Sequence, residues 1–390
     1  SIQVNLMTDI KLISNPFRDD KYTARFNSDD CIKFHKSLPG YSSTPLVDLD
    51  ELSKNLNLKS LQIKDESMRF NLNAFKSLGA SYAMAKIIVS KLGNDQLDLE
   101  FNSIMQHKNA TKEMTFATAT DGNHGRAVAW SAEIFGCKAI VYLPKGTSRH
   151  RISAIESHGA NAVVTELNYD ETVEYAARMA DENHWILIQD TSWKDYEDIP
   201  RDIMIGYQTI IRELNSDHFI WPTHVFMQAG VGSFAASIFD AFCRIDRPRP
   251  KFILVEPQGA ACYFESIQIG DGKPHSVKKL DTLMAGLCCG TPSIIAWDII
   301  KETADYFVIC DDGIALDAMK QMAEKKSQEQ SIVSGESGAV TTGIVQKICS
   351  NDKYSNYLDV LGLDDSSSVF CISTEGDTNP DLYNQALGNQ

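Results

Sequence analysis

From about residue 115 onward, short apolar runs alternate with segments of helical pattern, and this alternation limits the chain to few folds. It is the rhythm of βαβ units, in which each helix carries the chain back across a sheet so that successive strands run parallel. Thr115 to Thr120 reads as a strand, Asn123 to Phe135 as a helix, Ala139 to Leu143 as a strand, Ser148 to His158 as a helix and Ala162 to Thr165 as a strand. Glu171 to Asn183 and Trp185 to Gln189 continue the series. After a helical Arg201 to Leu214, a second series opens with strand His224 to Met227, helix Ser233 to Cys243 and strand Lys251 to Glu256. Tyr306 to Cys310 and Ser368 to Ile372 read as later strands and Gly313 to Lys325 as a helix, while Pro222 and the loop around Ser216 mark a crossing between lobes. The expected fold class is α/β, with two open, mostly parallel sheets flanked by helices. The length of 390 residues, roughly two to three times that of a usual domain, agrees with two lobes.

Composition bears mainly on partners. A net charge of −15 argues against nucleic acid, which needs clustered lysine and arginine, yet leaves room for a small anionic ligand held by local geometry. No apolar run approaches the ~20 residues that span a bilayer, and Ser1-Ile2-Gln3-Val4 is a polar start without a signal pattern. A cytoplasmic protein that uses no membrane is expected. The nine cysteines include no Cys-x-x-Cys pair, and no histidine cluster has ligand spacing, so no metal is expected. A pairing of Cys262 with Cys288 or Cys289 stays open, though a cytoplasmic setting disfavours lasting disulfides.

In Asn71-Leu72-Asn73-Ala74-Phe75-Lys76-Ser77-Leu78-Gly79-Ala80, Lys76 stands between an aromatic residue and a helix start built of small residues. Most lysines in such windows are hydrated surface charges, but in an apolar pocket the amine loses its proton more readily and can attack a carbonyl. The strand from His224 runs into Gln228-Ala229-Gly230-Val231-Gly232-Ser233 and a helix. This is either a tight turn or a phosphate cradle that uses N–H groups and the positive end of the helix dipole. It has neither the full dinucleotide fingerprint nor a Gly-Lys-Ser/Thr. Thr118-Ala119-Thr120-Asp121-Gly122-Asn123-His124-Gly125 also leads from a strand into a helix, and its hydroxyls, amide and N–H groups suit a small carboxylate. Asp121 is otherwise a helix cap, and His124 a residue that orients the loop. Ser373 follows the last strand at the carboxyl edge, where ligands of parallel sheets collect, and its hydroxyl suits a heterocycle. Ser334-Gly335-Glu336-Ser337-Gly338 is a further Gly-Ser loop opening a helix.

Together these segments resemble the fold type II family of pyridoxal-phosphate enzymes, which includes threonine and serine dehydratases and the tryptophan synthase β chain. The resemblance spans roughly residues 40 to 380 and opens on Tyr41-Ser42-Ser43-Thr44-Pro45-Leu46 and Lys64-Asp65-Glu66. It implies pyridoxal 5'-phosphate as cofactor, with Lys76 as the Schiff-base lysine and Asn123 as partner of the ring's phenolic oxygen. Gly230-Val231-Gly232-Ser233 takes the place of the phosphate loop, less glycine-rich than usual, and Ser373 that of the residue at the pyridine nitrogen. It also implies a homodimer, and a site between a larger lobe of residues 1–84 and 221–390 and a smaller lobe of 85–220 that carries Asp121 and the asparagine loop.

Within that family, departures from ordinary dehydratases are similar to the lyases that act on 2,3-diaminopropionate. Asp121 stands where a small Ser or Ala usually precedes Gly-Asn-His, and it is joined by Gln189-Asp190-Thr191-Ser192-Trp193 and by Ser334 to Ala339 with Ile372 to Thr378. The resemblance implies elimination of ammonia from both enantiomers of a small amino-acid substrate, with Thr120, Asp121, Gly122, His124 and Asp190 around it. Lys76 would then be the base for the L-isomer, Asp121 the base on the opposite face for the D-isomer, and Asp190 a partner of the departing β-ammonium. A hydroxyl at Ser373 leaves the ring a weaker electron sink than a carboxylate would, which suits β-elimination. Two other readings stay open: an L-serine or L-threonine dehydratase with the same cofactor, and an α/β module that binds a phosphorylated ligand without chemistry.

Overall fold

The computed structural model describes residues 9–93, 97–120, 122–214, 217–324 and 329–388. Asp121, Ser216, Lys325 and the Ser1 to Val4 start lie outside the described residues. The strands are β1 (Ile10–Ser14), β2 (Leu46–Asp48), β3 (Ser60–Asp65), β4 (Thr115–Ala119), β5 (Lys138–Leu143), β6 (Asn161–Val164), β7 (Ile186–Leu187), β8 (His224–Gln228), β9 (Lys251–Pro257), β10 (Tyr306–Cys310) and β11 (Ser368–Ser373). They form a seven-stranded sheet in the order β1-β10-β9-β8-β11-β3-β2 and a four-stranded sheet in the order β6-β5-β4-β7. The outer strands β1 and β2 are antiparallel to their neighbours, and every other pairing is parallel. The α/β class expected from the alternation is what the chain adopts. No helix among the described residues is long and apolar enough to cross a membrane.

Two readings of local structure change. The single helix expected over Arg201 to Leu214 is two, Asp198–Tyr207 and Thr209–Arg212, meeting at Gln208. The Gln208 amide there donates to the Ser237 carbonyl at 3.1 Å and to Asp240 Oδ2 at 3.0 Å. Strand β3 was not expected: Ser-Leu-Gln-Ile-Lys-Asp alternates polar and apolar residues over a short span without the continuous apolar run of the other central strands, yet all six residues are buried. Its polar members are partnered inside. Gln62 Nε2 donates to Asp48 Oδ1 at 2.7 Å, and Lys64 Nζ donates to the Thr44 carbonyl at 2.8 Å and to Glu213 Oε1 at 2.9 Å. Arg69 Nη2 reaches both Glu213 Oε1 and Glu66 Oε1 at 2.8 Å. Burial alone would raise the Glu213 carboxyl, but the Arg69 and Lys64 charges outweigh it and hold Glu213 below the usual carboxylate range.

Between the sheets, helix Ser77–Lys91 packs against helices Asn123–Phe135 and Asp198–Tyr207. The second crossing is glycine on glycine. A Cβ at Gly206 would lie 2.5 Å from the Leu78 carbonyl oxygen, and one at Gly79 2.5 Å from Tyr207 Cε1, so any side chain at either position drives the helices apart.

On β9, Glu256 is fully buried and accepts from the backbone N–H groups of Tyr263 at 3.0 Å and Phe264 at 2.8 Å. Burial pushes its carboxyl up from 4.5 to about 8. The folded state therefore keeps a proton that the unfolded state releases, so the stability this group contributes is complete below the unfolded value and is lost as pH rises through about 8. Glu256→Gln should flatten that decline, gaining roughly 1–3 kcal/mol relative to wild type between pH 5 and pH 8 in urea unfolding. A difference independent of pH would show that Glu256 titrates normally.

Candidate active site

The carboxyl ends of β8 and β11 and the loop after β4 face one another across a cleft that forms a cavity. Lys76 enters it at the start of helix Ser77–Lys91. The approach is tightly shaped: Phe70, Asn71 and Asn73 have φ of 51°, 58° and 61°, in the left-handed region that asparagine tolerates better than most residues. The loop is tied to the chain beyond β11. Asn73 Nδ2 donates to Asp377 Oδ1 at 3.0 Å, the Gly376 N–H to the Asn73 carbonyl at 2.9 Å and the Phe75 N–H to the Thr374 carbonyl at 3.2 Å. Phe75 packs on Tyr207 and Phe234 with ring centroids 4.9 and 4.4 Å away, which supplies the apolar backing the sequence suggested. The Lys76 side chain is 14% exposed, and its Nζ donates to Asp190 Oδ2 at 3.3 Å.

Asp190 is the electrostatic centre. Its Oδ1 accepts from Tyr169 Oη at 3.3 Å and Gln189 Nε2 at 3.4 Å, and His124 Nδ1 lies 3.8 Å from Oδ2. Burial acts to raise its pKa, but the charges of His124 and Lys76 and the hydrogen bonds from Lys76 and Tyr169 prevail, and the group sits below the usual carboxylate range. His124 is anchored through Nε2 to the Ile188 carbonyl at 3.0 Å, so it supports Asp190 from behind. Ser233 Oγ donates to the Asp190 backbone carbonyl at 2.6 Å. The hydroxyl of the expected phosphate loop thus holds the loop that carries the aspartate.

The glycine loop is a concave turn. Gly232 has φ +96°, and a Cβ there would fall 2.0 Å from Tyr263 Oη; the same tyrosine hydroxyl donates to the Val231 carbonyl at 2.7 Å. Gly230, Val231, Gly232 and Ser233 all line the cavity, and helix Ser233–Arg244 begins there with first-turn N–H groups that have no helical acceptor. Gln228 Oε1 and Ser337 Oγ, both buried in the same wall, make no hydrogen bond among the described residues. Buried polar atoms are seldom left so unless a ligand completes them. A phosphorylated pyridine aldehyde fits this set: N–H groups for phosphate, a lysine for the carbonyl, and amide and hydroxyl groups for the ring.

The opposite wall departs from expectation. Asn123 lines it, with Nδ2 donating to Glu375 Oε2 at 2.6 Å. Ser373 does not: it is fully buried and its Oγ donates to Ser334 Oγ at 2.7 Å, while the next residue, Thr374, stands in the wall. Nor do Thr120 and Gly122 line the cavity. Thr120 Oγ1 accepts from the N–H groups of Gly122 at 2.9 Å and Gly125 at 2.8 Å, so those two donors are already taken at the helix start. Thr374 and Glu375 were inside a run singled out in the sequence, and Gln228 opened another. Tyr169 gave no signal, since only the fold brings the first turn of helix Tyr169–Asn183 to the cavity. Cys262 is a buried thiol. Burial, then the Glu256 charge, push that thiol well up.

Residues 38–358 match the family model of pyridoxal-phosphate-dependent enzymes. A diaminopropionate ammonia-lyase of Salmonella typhimurium is 45% identical over 367 residues, 92% of this chain and 91% of that protein. The diaminopropionate ammonia-lyase of Escherichia coli is 39% identical over 360 residues, 91% of this chain and 89% of that one. The crystal structure of the E. coli enzyme with an aminoacrylate-PLP azomethine reaction intermediate matches with a TM-score of 0.89 at 37% identity, covering 98% of this chain and 97% of that one. Its complex with D-serine matches with a TM-score of 0.91 at 38% identity and the same coverage.

Proposed function

The chain belongs to the family of pyridoxal-phosphate-dependent enzymes, and we propose that it eliminates ammonia from D- and L-2,3-diaminopropionate, water then converting the remainder to pyruvate and a second ammonia. One observation carries the reading: a cavity-facing lysine amine lies 3.3 Å from the buried carboxylate of Asp190, beside a glycine loop that opens a helix. The names of relatives at 45% and 39% identity support the substrate.

When bound, the cofactor supplies a carbonyl that condenses with amines and a ring that withdraws electrons from the substrate's Cα. Lys76 would hold it covalently through its amine, and that amine, when free, would remove the Cα proton of the L-isomer. Gly230, Val231, Gly232 and Ser233 offer N–H groups to the phosphate, and Asn123 and Thr374 face the ring. Thr374 takes the place given to Ser373 from sequence. Asp121, next in the chain after Thr120, is the base for the D-isomer, whose proton lies on the other face. Asp190 keeps the departing β-nitrogen in its ammonium form, since an amide anion leaves poorly. Thr120, Gly122 and His124 shape this side from behind. Lobes of 1–84 with 221–390 and of 85–220, a homodimer and a cytoplasmic setting complete the proposal.

The test is release of 2-oxo acid from D- and L-diaminopropionate, L-serine and L-threonine. Diaminopropionate should exceed both hydroxy amino acids in kcat/KM by about 10²-fold or more, because only an amine satisfies Asp190. Higher turnover of serine or threonine would make the protein a dehydratase.

A further inference from the structure

We propose that Glu375 is the positioning residue that fixes the orientation of the Asn123 amide in the reaction cavity. An asparagine side chain can present either its oxygen or its NH₂ group in a given direction, and only its partners decide which. Glu375 decides it here, because a carboxylate only accepts: with Nδ2 held on Glu375 Oε2 at 2.6 Å, the second N–H and Oδ1 are left for the cavity.

The carboxylate is itself immobilised. Thr378 Oγ1 donates to the same Oε2 at 2.9 Å, and the Ser337 N–H donates to Oε1 at 3.3 Å. Glu375 is 1% exposed, and Gly335, where a Cβ would fall 3.0 Å from its Oε1, lets the carboxylate lie close against that backbone. Arg151 Nη2 braces the far side, 3.5 Å from Thr378 Oγ1 and 3.2 Å from Glu336 Oε1. Asn123 and Arg151 belong to helices packed on the four-stranded sheet, whereas Glu375 and Glu336 belong to segments around the seven-stranded one. The contact therefore spans the cleft, and the asparagine is correctly turned only when the two sides are together. Glu375 acts through Asn123 rather than on the substrate. The inference rests on Asn123 meeting the ring's phenolic oxygen, as proposed above.

The experiment is a pH titration of the visible absorption band of the holoenzyme, with cofactor affinity and steady-state kinetics on L-diaminopropionate beside it. Glu375→Gln keeps the shape but can offer either oxygen or NH₂, and it removes a negative charge that favours a bound proton nearby. The midpoint of the band should fall by roughly one pH unit. Cofactor should bind about threefold to tenfold more weakly, and kcat should drop about tenfold with little change in KM. Glu375→Asp, which keeps the charge, should recover part of the midpoint. In Asn123→Ala, adding Glu375→Gln should shift the midpoint by clearly less than it does alone, because only the loss of charge then acts. An unchanged midpoint in Glu375→Gln, or additive shifts in the double variant, would overturn the proposal. Should Glu375→Gln not fold, Thr378→Val must move the midpoint in the same direction, and no movement has the same force. A wild-type protein that takes up no cofactor would instead defeat the reading of Asn123 and of the cavity itself.

Discussion

Lys76→Ala should abolish the visible band expected of the wild-type protein with pyridoxal phosphate, and should lower turnover of both diaminopropionate enantiomers by about 10³-fold or more. Both losses have one cause, the only lysine amine in the cavity wall among the described residues. The fold should survive. The side chain makes no cap to its own helix, and Asp190 keeps Tyr169 and Gln189 as donors and His124 as a nearby charge. Removing the ammonium leaves a buried carboxylate less compensated, a stability cost of about 1–3 kcal/mol that thermal unfolding can register without loss of structure. Borohydride treatment followed by peptide mapping should find the reduced cofactor on Lys76. A Lys76→Ala protein that still turns over substrate, or a label on another lysine, would remove Lys76 from its role. A binding module would be unaffected in turnover because it has none.

Asp121→Asn should divide the two enantiomers, with D-diaminopropionate losing about 10²–10⁴-fold in kcat and the L-isomer only a few-fold. The argument is geometric: the isomers present the Cα proton on opposite faces of a flat assembly, and Lys76 can serve one of them. The aspartate stands between Thr120, whose hydroxyl closes the loop, and Gly122, whose φ of 141° leaves little choice but glycine. Equal losses on the two isomers would return Asp121 to capping or substrate binding.

The parts of the fold that could be read from sequence are those where burial on both faces writes a continuous apolar run. Strands β8, β9, β10 and β11 begin at the residues expected and end within one of them. Strand β3 escaped because its Gln62 and Lys64 are buried with partners that arrive from residues 48 and 213 in the folded chain, a pairing no local pattern records. Lys76, Asn123 and the glycine loop, all singled out in the sequence, line the cavity, each beside the start of a helix. At the end of β11 it is Thr374, not Ser373, that lines the cavity. Adjacent side chains at a strand end point to opposite sides, and Ser373-Thr374 offers a hydroxyl on both, so the sequence alone cannot say which meets the cavity. Thr120 was expected at the substrate, and its oxygen also accepts from N–H groups at the start of the next helix, a part its residue type alone does not announce.

The glycine crossing at Gly79 and Gly206 has a bearing on how this protein can diversify. It fixes the helix that begins one residue after the lysine by an approach so close that neither glycine can take a side chain, so the position of the lysine itself offers descent with modification almost no raw material. The other walls are different in kind: Tyr169, Leu287 and Cys289 meet the same space through ordinary side chains that can be exchanged by point mutation. A lineage under selection for a new amino-acid substrate would keep its chemistry on the frozen side and accumulate its novelty on the other. Reaction and preference are thereby inherited as separable traits.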